Sequence, residues 1–187
     1  VAAAVLAATP AAAFDGEEVF RKGTRILSVE GGGGEQHTLV DSGISDLQLA
    51  NGGLRLSLIP FRPWFDGPAR GALEVGLEPF FQQYRNPDAS FGGLGLLLRY
   101  HFLALGRVVP YVELFGAAGA TDLKIPEIDS TFALMAQGGV GVAVFLTDQV
   151  ALYAGYRLQH VSNAHTARAN RGFEANLGVA GVSLFFP

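Results

Sequence analysis

The chain has 187 residues, with 13 basic and 17 acidic side chains, a formal net charge of −4 and no cysteine. Mild acidity without a Lys/Arg cluster argues against a nucleic-acid partner, and the lack of cysteine removes disulfides, thiolate catalysis and cysteine-based zinc sites together. Apolar residues make up 49% of the chain, with 25 glycines and 14 phenylalanines. Even so, charges or glycines interrupt every run before the roughly 18–20 residues a membrane-spanning helix needs, which excludes a helical membrane protein.

Residues 1–13 are small and apolar, broken only by Thr9 and Pro10, and end in Ala11-Ala12-Ala13. This is the composition of the apolar core and small-residue cleavage site of a secretory signal. The segment is therefore read as a signal-peptide remnant, which leaves residues 14–187 as a single domain. From there on apolar residues recur at every second position, the period of a strand. A weak first strand over residues 24–33 sets Leu27 and Val29 against Ser28 and Glu30. The second carries Leu54, Leu56 and Leu58 against Arg55 and Ser57, and the third Leu73, Val75 and Leu77 against Glu74, Gly76 and Glu78. In the fourth, Leu94, Leu96, Leu98, Tyr100 and Phe102 oppose Gly95, Leu97, Arg99 and His101. The fifth alternates Val112 and Leu114 with Tyr111, Glu113 and Phe115. The sixth turns Leu134, Ala136, Val140, Val142 and Val144 away from Gln137, Gly139 and Gly141. A seventh runs from Val150 to Ser162, and an eighth over residues 173–186.

The same alternation would serve a soluble sandwich or a lipocalin-like barrel with its apolar face inward. Two features favour the inverse arrangement. The polar faces carry both charge signs (Glu30, Arg55, Glu74, Glu78, Arg99, Glu113 and Arg157) among many glycines, as the filled lumen of a narrow barrel requires. Aromatic residues gather at strand ends (Trp64, Phe65, Phe80, Phe81, Tyr84, Tyr100, Phe102 and Phe145), which reads as interfacial girdles, and the chain closes on Leu184-Phe185-Phe186-Pro187. The expected fold is all-β, an eight-stranded antiparallel transmembrane β-barrel of a bacterial outer membrane. With a periplasmic N-terminus its odd strands run outward. Segments 35–46, 82–90, 121–130 and 163–172 are then extracellular, and 60–70, 105–108 and 147–149 periplasmic.

The seventh strand departs from its own pattern. Val150, Leu152, Ala154, Tyr156 and Leu158 form one face, and that face continues into His160 and Ser162. Two residues of rise separate the last two Cα atoms by roughly 6.5–7 Å, within the reach of an imidazole leaning toward a hydroxyl. Ser162 is the candidate nucleophile and His160 its base, both facing apolar surroundings as a lipid hydrolase needs.

The segment Tyr156-Arg157, His160, Ser162-Asn163-Ala164, then Asn170-Arg171-Gly172 and Glu174, resembles the lipid A 3-O-deacylases, outer-membrane enzymes that remove an ester-linked acyl chain from lipopolysaccharide. One departure is His165, where the family usually has glycine. The resemblance implies a serine esterase acting on the 3-hydroxyacyl ester at the 3-position of lipid A in the outer leaflet. Its implied triad is Ser162, His160 and Glu174. Asn163 and Asn170 are candidates for the oxyanion or for holding the loop, although each is also an ordinary turn residue. In strand eight Leu177, Val179 and Gly181 are read as the outward set, which puts Glu174 on the opposite phase. A bulge or loop conformation near Gly172 is then needed to bring it to His160. Asp41, Asp46, Asp122 and Asp129 are alternative acids from other loops, and Arg157 is read as a lumen ion-pair partner rather than a lipid-phosphate ligand.

Gly31 to Gly34 lack the following helix and the Lys-Ser/Thr pair of a phosphate loop. His37, His101 and His165 are dispersed without metal-ligand spacing, so neither metal nor cofactor is expected. The expected partners are lipopolysaccharide as substrate and the surrounding outer-membrane lipids, with a homodimer as an open alternative to the monomer. The competing function is a non-catalytic small barrel, structural or adhesive, in which His160 and Ser162 are incidental.

Overall fold

A computed structural model of the protein describes residues 14–37, 45–169 and 171–187. The expected signal remnant at residues 1–13 lies outside them. Eight strands run in chain order: β1 (Arg25–His37), β2 (Gln48–Leu58), β3 (Gly71–Arg85), β4 (Ala89–Phe102), β5 (Val108–Thr121), β6 (Phe132–Phe145), β7 (Val150–Ser162) and β8 (Phe173–Phe186). Each pairs antiparallel with its neighbour in sequence, and β1 closes on β8 to complete a barrel. Closure satisfies the backbone ladder all round and leaves no edge, the condition for a sheet that crosses lipid. Among the described residues no helix is long and apolar enough to cross a membrane.

The two faces of the sheet divide as the alternation dictates. Leu56, Leu77, Leu96, Leu114, Val140 and Leu152 point outward and are 45–64% exposed. All seven charged residues assigned to the polar faces are buried in the lumen. There Arg55 donates to Glu78 at 2.6 Å and to Glu30 at 3.0 Å. Arg157 reaches Glu113 at 2.6 Å and Glu30 at 2.8 Å. Arg99 meets Glu113 at 2.7 Å while lying 4.1 Å over the Tyr111 ring. A protein with its ion pairs inside and its leucines outside is built for an apolar solvent. Spin labels at Leu56, Val75, Leu96 and Val142 are accordingly expected to be quenched by an apolar relaxant in lipid vesicles. Preferential quenching by a water-soluble metal complex would contradict that orientation.

Two apolar clusters seal the lumen above and below the ion pairs. At the end closed by the short helix α1 (Gly16–Val19), Phe20, Ile26, Ile59, Phe145 and Phe185 pack together. At the other end, where β7 passes into β8, the plug is Leu47, Leu49, Tyr84, Phe91, Leu123, Ile128 and Phe173. Three of the expected girdle residues belong to these plugs: Phe80, Tyr84 and Phe145 are 8%, 0% and 2% exposed. Trp64, Phe65 and Phe81 do face outward, at 39%, 69% and 53%. Neighbouring strand residues must point to opposite sides, so a run such as Phe80-Phe81 supplies one ring to the plug and one to the surface. The expected extracellular segment at 82–90 contracts to residues 86–88, because β3 and β4 continue farther than their hydrophobic pattern. Gln82 points inward and its amide donates to Gln159 at 2.8 Å.

Candidate active site

On β7 the outward row of Leu152, Ala154, Tyr156 and Leu158 ends with His160 and Ser162. On β8 the outward row is Glu174, Asn176, Gly178, Ala180, Val182 and Leu184, because Phe173, Ala175, Leu177 and Val179 are buried at 0–4% exposure. This corrects the expected phase of strand eight. Leu177 and Val179 resemble lipid-facing residues, but Leu177 joins the apolar plug and Val179 is buried in the lumen opposite Gly155 and Gly32. Glu174 therefore shares the outward face with His160, and the β7–β8 register runs unbroken from Val161↔Phe173 to Val150↔Leu184 without the expected bulge.

His160 and Glu174 are direct cross-strand partners. Such pairs hold their Cβ atoms about 4.5–5.5 Å apart. Here the His160 Nδ1 lies 3.0 Å from Glu174 Oε1, with side-chain exposures of 46% and 29%. A carboxylate on Nδ1 fixes the tautomer that leaves Nε2 free to accept a proton. Ser162 stands one outward position beyond His160, beside Leu134 of β6, and among the described residues its hydroxyl makes no hydrogen bond. Of the alternative acids, Asp122 accepts from the Ser90 amide at 2.5 Å, Asp129 bridges to Lys124 through the backbone, and Asp41 lies outside the described residues.

Gly172 contributes a contact that the sequence does not announce. Its φ of +72° lies in the left-handed region, and a Cβ there would sit 2.7 Å from His160 Cε1 and 3.0 Å from Nε2. Only glycine lets the backbone close on the imidazole edge without displacing it.

Asn163 is fully buried and knits together the segment that joins β7 to β8. Its Oδ1 accepts from the His165 amide at 3.1 Å, its Nδ2 donates to the Ala169 carbonyl at 3.3 Å, and its own carbonyl accepts from Thr166 N at 3.0 Å and Thr166 Oγ1 at 2.7 Å. Asn170 lies outside the described residues. Ala164, His165 and Ala169 all have positive φ (50°, 62° and 61°). His165 thus occupies a left-handed position where glycine is the usual residue. Glycine there would relieve on the order of 1 kcal/mol of strain and lose a similar amount through unfolded-state entropy. His165→Gly is therefore expected to leave the unfolding midpoint and the activity unchanged within about twofold, and a tenfold loss of activity would show that the imidazole itself takes part.

Beside the pair, on the outer face of β8, β1, β2 and β3, lies an open groove of about 520 Å³. Gly33, Ala50 and Gly178 form its floor. One in-register row, Asn176↔Glu35↔Gln48↔Arg85, forms a polar wall. Tyr156 stands at its end and donates to Asn176 Oδ1. Gln48 and Arg85 are the terminal residues of β2 and β3, which sets this row at the rim of the barrel. Of the dispersed histidines, His101 is buried in the lumen against Glu74 at 2.7 Å.

The family model for lipid A 3-O-deacylase (PagL) matches residues 53–183, a stretch that contains His160, Ser162 and Glu174. The chain belongs to this family. Lipid A 3-O-deacylases are hydrolases of the outer membrane, and the barrel agrees with that location. The crystal structure of the outer membrane enzyme PagL superposes with a TM-score of 0.60 at 17% identity, covering 83% of this chain and 97% of that one. Neisserial surface protein A superposes at 0.55, also with 17% identity, over 87% of this chain and 97% of its own. At such identities these likenesses speak for the barrel alone. No curated protein sequence matches the chain at a significant level.

Proposed function

We propose that this lipid A 3-O-deacylase cleaves the ester of a 3-hydroxyacyl chain at the 3-position of lipid A, with Ser162 as nucleophile, His160 as base and then acid, and Glu174 as the orienting carboxylate. The observation that carries the reading is the 3.0 Å contact between His160 Nδ1 and Glu174 on the lipid-facing surface, in line with Ser162. A serine hydroxyl is scarcely ionised near neutral pH and needs a base. Nε2 takes the proton as Oγ bonds to the ester carbonyl carbon, and Glu174 stabilises the imidazolium that forms. Collapse of the tetrahedral intermediate breaks the bond to the sugar oxygen, which receives the proton from Nε2. Water, deprotonated by the same nitrogen, then releases the fatty acid and restores Ser162.

Asn163 is assigned a positioning role, since its side chain is engaged in holding the segment after the nucleophile. Asn170 is proposed for the oxyanion or the same loop. A periplasmic N-terminus puts the end of β7 at the extracellular side, so the site meets the outer leaflet, where lipid A resides. The groove suits an amphipathic headgroup: its floor of Gly33, Ala50 and Gly178 carries at most a methyl, and its wall presents Asn176, Glu35, Gln48 and Arg85.

A Cβ at Gly178 meets nothing within 4 Å, so Gly178→Leu has room to leave the backbone and project over the groove floor. This variant is expected to lower kcat/KM for lipopolysaccharide by about tenfold, which is about 1.4 kcal/mol, while hydrolysis of a small soluble ester is unchanged. Equal rates on both substrates would remove the groove from the substrate path. The function itself is tested by incubating the purified barrel with lipopolysaccharide in detergent and weighing the lipid A. Loss of one 3-hydroxyacyl group with release of the free acid is expected; unchanged lipid A would leave a non-catalytic barrel.

A further inference from the structure

We infer that Glu127, in the segment between β5 and β6, is a positioning residue for His160, acting through Gly172. The inference rests on the proposed role of His160 and concerns how the imidazole is kept in place. Glu127 is 3% exposed, and a buried carboxylate is tolerated only where donors meet it. It accepts from Ser45 N at 2.9 Å, from Ser45 Oγ at 2.7 Å and from Gln36 Nε2 at 3.2 Å. Its main-chain carbonyl meanwhile accepts from Arg171 N at 3.0 Å and Gly172 N at 3.3 Å. One residue thus ties the end of β1, the segment leading into β2 and the segment leading into β8.

The tie point is itself anchored. Ile125 and Ile128 exchange backbone hydrogen bonds of 2.9 and 3.1 Å across Glu127, and their side chains are 6% and 0% exposed in the plug. The anchored carbonyl fixes the backbone of Gly172, where a Cβ would fall 2.7 Å from Cε1 and 3.0 Å from Nε2 of His160, and Glu174 follows two residues later. Glu127 touches neither substrate nor reacting atoms. Without its carboxylate the Ser45 and Gln36 donors lose their acceptor and Glu127 is held only through the Ile125–Ile128 turn, so its main-chain carbonyl can shift, and Gly172 and the imidazole move with it. A displacement of about 1 Å at a reacting group can cost on the order of 100-fold in rate.

The test uses the refolded full chain in detergent micelles, with Glu127→Ala and Glu127→Gln. In Glu127→Ala kcat is expected to fall roughly 30- to 100-fold with KM within about threefold. The chain is expected to stay folded with a lowered unfolding midpoint, since the Ser45 and Gln36 donors are left unpaired. Glu127→Gln keeps an oxygen for the Ser45 amide and is expected to recover most of the rate. The readout independent of turnover is the His160 Nδ1-bound proton in the NMR spectrum, assigned by its loss in His160→Asn. It should broaden or vanish in Glu127→Ala and persist in Glu127→Gln. An unaltered His160 proton in Glu127→Ala would overturn the inference, as would equal rate losses in both variants. Should the wild type leave lipopolysaccharide intact, the proposed function fails, while the NMR comparison still decides the positioning.

Discussion

Ser162→Ala and His160→Ala are each expected to lower deacylation by about 10⁴-fold or more while leaving a folded barrel. Both side chains point out of the sheet, so neither is needed for the lumen ion pairs or for either apolar plug. Because the pair acts as a unit, the double variant is expected to be scarcely worse than either single one. Glu174→Ala is expected to lower kcat less, by about 10²- to 10⁴-fold, with KM little changed, since the carboxylate acts mainly as charge develops on the imidazole. The comparison is made on protein whose strand content by circular dichroism matches the wild type. Substantial turnover in folded Ser162→Ala would remove the nucleophile, and losses that multiply would show two independent contributions.

The largest effect on stability is expected inside the barrel, far from the chemistry. Glu30 accepts from Arg157 at 2.8 Å, from Arg55 at 3.0 Å and from the Tyr153 hydroxyl at 3.0 Å. Glu30→Ala takes one of two carboxylate partners from each of two buried guanidinium groups, leaving Arg55 with Glu78 and Arg157 with Glu113. Removing one partner of a buried ion pair typically costs about 3–5 kcal/mol. Urea unfolding in lipid vesicles should register a loss of that size. The folded fraction should hydrolyse at the wild-type rate, since the site lies on the opposite face of the sheet. A loss below about 1 kcal/mol would mean that water enters the lumen and solvates the two arginines.

The barrel was legible because lipid imposes a period of two on every strand, and the seven charges of both signs on the opposite phase, among many glycines, fitted a filled lumen better than a solvated face. The His160–Ser162 pair was legible for the same reason, as polar groups interrupting an apolar row. Strand eight misled because two boundary conditions overlap there. The lumen takes Leu177 into the apolar plug and Val179 between Gly155 and Gly32, while the outer face carries Gly178 beside the groove and then Ala180. Hydrophobicity therefore pointed the wrong way, and the cross-strand register settled what alternation could not. Gly172 and Glu127 were illegible for a different reason. Their roles depend on contacts between segments 45 residues apart in the chain, or on the absence of a side chain, and neither leaves a periodic trace. His165 was visible as a departure from the family, but its meaning came only with the left-handed backbone beneath it.

The central claim is that an outward-facing serine on a lipid-exposed strand is activated by the histidine two residues before it. A lipophilic fluorophosphonate, which bonds covalently only to an activated hydroxyl, reports on this directly when the labelled barrel is digested and its peptides are weighed. Wild-type protein is predicted to carry a single adduct on Ser162, and His160→Ala none. An adduct on another serine, or equal labelling of Ser162 without His160, would contradict the account.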